Sequence, residues 1–399
     1  MKKSIIILLF ASLCVFNADA QKKIPHNYRP VGVQPSKRTE IILPQVNGYN
    51  VYKGDFHIHS SYSDGRVNPA GRVLEAWYDG LDVIAITDHY EGCGGVKKAL
   101  KVAAPHFPDG KPVAYKTASE SGVVPADFNA IYKEAEWQVK FSRYPLLLIK
   151  GCEMARDPKE YGHFNCLFLK DANTVYNKDI AEAFKNVHKQ GGIVIHNHPS
   201  YRRPGGTTDK SESHKKLYDA GLIDGVEIVN GTNFYPRMVR RCIEEKLTML
   251  ANTDEHVLTS YRFGSHNCHR TMTLILAKDL TEKAIKDAFL KRRTLAYFAG
   301  NLAGEEQLLV DFLNAAVECR IVKEDKKKGE RTYMLTNMSS ITYQLRRGKT
   351  IYELEPFKSV MVPVGKNKNT GESAQPTFHV ENMWHIDFQH PTITLELDK

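Results

Sequence analysis

The sequence predicts an α/β barrel followed by a small all-β sandwich, and three observations carry that prediction. From Val51 to about Gly300, short apolar runs alternate with amphipathic helical segments, the pattern of a parallel α/β architecture. One after another, those apolar runs stop at a His, Asp or Glu. An open doubly wound sheet looks similar locally, but a ring brings the ends of nearly every strand to one point, as barrel active sites require. Beyond Glu305 the texture changes to short, often alternating segments separated by charged turns, which reads as a sandwich.

Taken in order, residues 1–20 read as a secretory signal. Lys2 and Lys3 give the charged start, an apolar run begins at Ile5, and Ala18-Asp19-Ala20 precedes a cut at Gln21. Cys14 raises a lipid anchor as the minor reading, but Leu13 before it is larger than the small residue such a site prefers. No other stretch is long and apolar enough to cross a bilayer, so the mature chain is expected to be exported, periplasmic or secreted. Residues 21–50 form a Pro-rich and polar extended arm, 51–304 the barrel and 305–399 the sandwich.

The 399 residues are 42% hydrophobic, enough for two cores of this size. The formal net charge of +9 resides in residues 21–304, because the flanks carry +1 and −1. A basic barrel suits an anionic substrate, and general surface solubility explains the charge nearly as well. Cys93, Cys152, Cys166, Cys242, Cys268 and Cys319 include no C-x-x-C pair, so buried free thiols are expected even in an oxidising compartment.

Asn68-Pro69 caps and starts a helix carrying Val73, Leu74 and Trp77 on one face. The buried strand 83–87 stops at Asp88-His89, and residues 92–124 read as a long loop near the site mouth. A helix over 127–141 leads to strand 146–149 and then Gly151-Cys152-Glu153, with a further strand at 164–169 just after His163. Asp179 caps a helix with Ile180, Ala183, Phe184 and Val187 inward, closed by Gly191-Gly192. Strands at 193–195, 225–229 and 247–251 follow, the first ending in His196-Asn197-His198-Pro199 and the last in Thr253-Asp254-Glu255-His256. A strand at 271–276 and a basic helix at 280–291 complete the barrel; beyond it, 310–313, 333–336, 342–346, 360–364 and 392–397 read as strands, with a hairpin loop at 323–331.

The chemistry begins at Asp55-Phe56-His57-Ile58-His59. Side chains alternate faces along a strand, so His57 and His59 point the same way and can grip one cation. The strand ends together offer His57, His59, Asp64, His89, Glu153, His163, His198, Asp254 and His256. Nine mixed imidazole and carboxylate donors exceed one tetrahedral zinc and suit two or three divalent ions bridged by a carboxylate. No G-x-S-x-G or other serine-nucleophile signature competes.

These residues lie in D-F-H-I-H-S-S-Y-S-D-G, I-T-D-H, G-C-E-M, G-H-F-N, H-N-H-P and N-T-D-E-H. In that order the six motifs resemble the polymerase and histidinol phosphatase (PHP) phosphoesterases, over residues 51 to about 300. The resemblance implies a distorted (β/α)7 barrel, up to three metal ions and hydrolysis of phosphate mono- or diesters. It places one metal on His57, His59, Glu153 and Asp254, a second on Glu153, His163 and His198, and a third on Asp64, His89 and His256. Some family members carry His where this chain has Asp64, a hard oxygen donor that favours Mn, Mg or Fe there, with zinc open; Mn, Zn or Fe are the expected ions.

The expected reaction is attack on phosphorus by a hydroxide shared between cations, with Glu153 and Asp254 in the catalytic centre and Arg202 clamping the phosphate. Arg202 and Arg203 on a loop are equally readable as exposed charges. His196 reads as a supporting residue beside the ligands, Asp88 and Glu255 as turned away or orienting an imidazole, and His188, His214, His266 and His269 as helix-surface or loop histidines. A small phosphate ester is the expected partner, a diester ahead of a monoester, and nothing points to nucleic acid. A metal-dependent amidohydrolase and an inactive barrel carrying a binding module are the alternatives.

Overall fold

The computed structural model describes residues 37–90, 127–157, 159–264, 269–366 and 375–397. The signal reading at 1–20, the start of the arm, the 92–124 loop, His266, Cys93 and Cys268 lie outside the described residues. No helix among the described residues is long and apolar enough to cross a membrane.

The chain from Arg38 onward forms one compact unit. Its centre is a curled, mixed sheet of twelve strands. Strand β1 (Asn50–Asp55) pairs in parallel with β2 (Val83–Ile86), and β2 with β3 (Leu147–Ala155). Between β1 and β2 lies α1 (Pro69–Tyr78), started by Asn68, whose side chain accepts from Gly71 N–H at 2.7 Å. Helix α2 (Phe128–Ser142) is capped in the same way by Asp127.

Strand β4 (His163–Leu167) runs antiparallel to β3 and to β5 (Ile193–His196). That hairpin replaces one β-α unit and is one of the distortions of the barrel. Its cause is the short connection after Ala155, too short for a parallel crossover. Helix α3 (Ile180–Lys189) buries Ile180, Ala183, Phe184 and Val187, with Asp179 accepting from Ala181 N–H at 2.8 Å. Helix α4 (Glu212–Asp219) leads into β6 (Gly225–Asn230), parallel to β5. A two-residue β7 (Asn233–Phe234) folds back on β6, α5 (Pro236–Glu244) follows, and β8 (Thr248–Asn252) lies parallel to β6.

Closure of the ring is made at the strand ends. Asp254 N–H donates to the His57 carbonyl at 2.9 Å, His59 N–H donates to the Glu255 carbonyl at 3.1 Å, and Ile58 and Glu255 form a parallel bridge. Lower down, Thr273 and Thr294 hydroxyls donate to the Ala251 and Met249 carbonyls of β8 (2.9 and 2.8 Å). These threonines belong to β9 (Met272–Ala277), antiparallel to β1, and β10 (Thr294–Phe298). Before β9 comes the short α6 (Thr259–Phe263), and α7 (Glu282–Leu290) links β9 to β10.

After β11 (Asn301–Ala303) the chain forms α8 (Glu306–Ala316). This corrects the strand expected at 310–313. Leu309, Phe312, Leu313 and Ala316 are all buried, in one apolar cluster with Leu274 and Tyr297 of the barrel and Tyr333 and Leu345 of the sandwich. Gln307, Asp311 and Asn314 lie at helical spacing opposite those buried residues, a period longer than the four-residue run 310–313 can display.

The sandwich has a three-stranded antiparallel sheet of β12 (Val317–Asp325), β13 (Glu330–Asn337) and, beyond β14 (Tyr343–Arg347) and β15 (Thr350–Leu354), β16 (Ser359–Val364). Its four-stranded sheet follows the order β15, β14, β17 (Thr377–Val380), β19 (Thr392–Thr394). The intervening β18 (Met383–Trp384) leaves the sandwich and pairs in parallel with β11. Cys152, Cys166, Cys242 and Cys319 are buried free thiols.

Arg72 is the largest departure from the apolar-inside pattern. It is 2% exposed on the inner face of α1 with Val73 and Ala76. Its guanidinium donates to the His59 and Glu255 carbonyls (2.9 Å each), the Val257 carbonyl (2.6 Å) and Glu75 (2.7 Å). It therefore staples the two segments that close the ring. Arg72→Met keeps the length and volume but leaves three buried carbonyls and Glu75 short of donors, so it should cost roughly 3 kcal/mol of stability. Urea denaturation measures this; a loss under about 1 kcal/mol would show that water serves those carbonyls.

Candidate metal centre

All nine donors picked from the strand ends lie at one mouth of the ring. Their atoms fall into overlapping groups within 4.8 Å: His59, Asp64, His89 and His256; His57, His198 and Asp254; His57, His59 and Glu153; His89, Glu153 and His163. The β-ladder explains the convergence. The β2–β3 register that pairs Val83 with Leu147 continues unchanged to a bridge between His89 and Glu153. Tyr90 N–H donates to the Glu153 carbonyl at 2.7 Å and Glu153 N–H to the Asp88 carbonyl at 3.0 Å.

Glu153 sits at the middle. Its carboxylate lies 3.2 Å from His57 Nε2, 3.2 Å from His163 Nδ1, 3.6 Å from His198 Nε2 and 2.8 Å from His89 Nδ1. Asp254 lies 3.2 and 3.1 Å from His57 and His59 Nε2. Asp64, the most exposed carboxylate, lies 3.2 Å from His256 Nε2 and 3.6 Å from both His59 and His89. The ligand sets implied by family resemblance therefore have their donors adjacent, with His89 also reaching Glu153.

Burial alone would raise the Glu153 and Asp254 carboxyls, but the imidazoles around them outweigh it and hold both well below the usual carboxylate range. Burial and the neighbouring His89 push the His59 imidazole down to about 3, the neutral form that binds metal. Glu153 Oε2 accepts no hydrogen bond although His89 Nδ1 is 2.8 Å away. Buried carboxylates and imidazoles crowded together at these distances are the donor set of divalent cations. His198 and Asp254 hold φ of +24° and +53°, left-handed backbone of a kind that clusters at functional sites.

A supporting role falls to several residues other than the nine donors. Glu227 is fully buried between Val226 and Ile228. It accepts from His57 Nδ1 (2.7 Å), Asn252 Nδ2 (2.9 Å), His198 N–H (2.8 Å) and Asn230 Nδ2 (3.0 Å). By taking the Nδ1 proton it turns His57 Nε2 toward the centre. A glutamate inside an otherwise apolar strand was the available signal. Asn197 Nδ2 donates to Glu153 Oε1 at 2.8 Å. Gly65 is needed because a Cβ there would meet the His59 carbonyl oxygen at 2.6 Å.

Asp88 accepts from Ser60 N–H and from the Ser60 and Ser63 hydroxyls, and Ser63 Oγ lies 3.3 Å from His59 Nδ1. Glu255 accepts from His256 and Val257 N–H. His196 bonds Tyr218 through Nδ1 at 2.8 Å and joins none of the donor groups. His214, expected on a helix surface, is instead 1% exposed, bonded to Arg203 Nη1 and the Tyr161 carbonyl; it closes the cap of α4. Arg203 is thus engaged away from the centre. Arg202 is exposed, its guanidinium 5.0 Å from the Tyr201 ring centroid, and is not among the residues lining the cavity over the centre. The arginines that do line it are Arg237 and Arg262.

A solved two-domain protein from Bacteroides vulgatus ATCC 8482, containing a predicted PHP-like metal-dependent phosphoesterase, is 30% identical to this chain. The match covers 91% of this chain and all of the other, with a TM-score of 0.77. The chain belongs to this PHP-like family. A protein from Bifidobacterium adolescentis ATCC 15703, described as a metal-dependent phosphoesterase, shares 16% identity over 60% of this chain and 96% of its own, with a TM-score of 0.37. An amidohydrolase from Chromobacterium violaceum shares 12% over 52% and 88%, with a TM-score of 0.32. No family model and no curated protein matches the sequence.

Two substitutions separate a donor of the PHP centre from a residue that orients one. Glu153→Gln removes the central charge while keeping shape, so the purified protein should carry fewer metals per chain with unchanged far-UV circular dichroism. Glu227→Gln should keep every donor but weaken metal affinity by about 10- to 100-fold, read by titration against a chelator. Full occupancy in Glu153→Gln would remove Glu153 from the centre.

Proposed function

We propose that the protein is an exported phosphodiesterase that hydrolyses small phosphate esters at a centre of two or three divalent ions. The observation that carries this reading is Glu153, a buried carboxylate flanked by His57, His89, His163 and His198, which suits a bridge between cations. Bound divalent cations supply Lewis acidity toward the phosphoryl oxygens and lower the pKa of the attacking water.

The chain's own residues supply the rest. His57 is fixed by Glu227, and Asn197 and Asn230 hold Glu153 and Asp254 in place (2.8 and 3.3 Å). Arg237 is exposed at the start of α5 and forms no hydrogen bond or salt bridge with a described residue. It lines the cavity with Arg262, whose Nη1 donates to the Thr253 carbonyl at 3.0 Å. Arg237, with Asp387 its charged neighbour, is accordingly the fork for a phosphoryl oxygen, in the role first considered for Arg202. Tyr235, pushed up to about 12 by burial and by Glu227, keeps its proton and can donate to the same group. A cavity of about 1330 Å³ over the centre leaves room for substituents on both sides of a phosphate, which supports the diester.

Hydrolysis of bis(4-nitrophenyl) phosphate and 4-nitrophenyl phosphate with added Mn²⁺ or Zn²⁺, beside a 4-nitroanilide, tests the reaction class. Turnover of the anilide alone would refute it. Arg237→Ala should reduce kcat/KM at least ~10-fold, the scale of a lost charge-assisted contact of about 1.5–3 kcal/mol, with metal content unchanged. Export predicts a mature chain beginning at Gln21, read by mass spectrometry of the protein from its natural host.

A further inference from the structure

The cavity has two kinds of wall. One is the donor cluster; the other, beside Arg237, contains Phe234, Tyr235, Pro236 and Phe388. Phe388 comes from the other end of the chain, in the loop after β18, and is 62% exposed. A single exposed phenyl is ordinary, but this one is held there by an elaborate arrangement. Asp387 and Phe388 adopt φ of +49° and +61°, consecutive left-handed conformations that side chains with a Cβ avoid. Asp387 is gripped by the Arg240 guanidinium on α5 through both Nε (2.9 Å) and Nη2. Trp384, just before, donates from Nε1 to Asn301 at 2.9 Å, and β18 is tied to β11.

The phenyl ring stands edge-on to Phe234, with centroids 6.4 Å apart, and to Trp384 at 6.1 Å. The ring also lines the cavity. The cavity volume of about 1330 Å³ exceeds the ~300–1,000 Å³ of typical small-ligand pockets, which leaves room for an organic group beside a phosphoryl group at the donor cluster. An apolar, aromatic wall beside a cationic fork matches a flat ring attached to a phosphate.

We infer that the carboxy-terminal domain completes the substrate site, and that Phe388 selects phosphate esters whose organic group is a planar aromatic ring, either an aryl group or a nucleobase. The inference rests on the phosphoesterase reading and deepens it. Phe388 contacts the substrate's ring and takes no part in the bond cleavage. Its loss therefore falls on KM for ring-bearing substrates and spares the chemical step.

The test uses the full mature chain loaded with Mn²⁺. Initial rates are measured for bis(4-nitrophenyl) phosphate, thymidine 5′-(4-nitrophenyl) phosphate and glycerophosphocholine, in wild type, Phe388→Ala and Phe388→Trp. Phe388→Ala should lose about 5- to 15-fold in kcat/KM on the aromatic esters beyond any loss on the aliphatic one, mainly through KM, and Phe388→Trp should recover most of it. A larger effect on the thymidine ester than on the aryl ester identifies the ring as a nucleobase, and the converse as an aryl group. Calorimetry gives a readout independent of turnover: phenylphosphonate should bind wild type at least ~5-fold more tightly than methylphosphonate, with the preference lost in Phe388→Ala. Equal losses on all three esters, or no phenyl preference in wild type, overturn the inference while leaving the phosphoesterase reading intact. Turnover of none of the esters defeats that reading, and the inference falls with it.

Discussion

The centre depends on hydrogen bonds between the backbones of the segments that carry its donors. His57 and Asp254, His59 and Glu255, Asp88 and Glu153, and Tyr90 and Glu153 are joined peptide to peptide. Donor positions are thus set by ladder spacing, which is far stiffer than side-chain rotamers. The same bonds close the ring of strands, so fold closure and site assembly are one event. Arg72 reinforces both by holding the carbonyls of His59, Glu255 and Val257 together.

Electrostatics then sets what such a site can hold. Glu153 and Asp254 stay ionised despite burial because imidazoles surround them, and Glu227 adds another buried carboxylate behind His57. Concentrating carboxylates in a low-dielectric mouth is unfavourable unless positive charge compensates. Divalent ions meet that demand compactly, and the imidazoles, neutral in the ligand role, add donors without adding charge.

Much of the barrel was legible because its signals are local. Asp179 and its four inward apolar residues, the buried run at Val83, and the histidines at strand ends depend only on neighbours within a few positions. The antiparallel β4 was not legible, since nothing in the 164–169 run states its direction. Helix α8 was read as a strand because four residues, 310–313, are too few to show its helical period. Within the site, the donors carried motifs, and Asn197 lay inside one with nothing to mark its role, whereas Glu227, Arg237 and Phe388 carried none. Their relevance arises only when β6, the loop after β5, α5 and the segment following β18 meet around one mouth. Arg72 was invisible for the same reason, as a charge at an inward helical position with two of its four acceptors more than 180 residues away.

The pairing of β18 with β11 sets a timetable for the nascent chain. Residues 302–303 finish one border of the barrel sheet, yet their partners at 383–384 leave the ribosome about eighty residues later. Until then β11 presents an open edge, the kind of surface that recruits stray strands, and α8 lacks the sandwich half of its packing. A chain released early would therefore hold a nearly complete set of metal donors on a sheet that cannot seal itself. Quality control acting on such fragments would see the exposed border rather than the metal site, and selection on the sandwich would act first through the yield of folded protein.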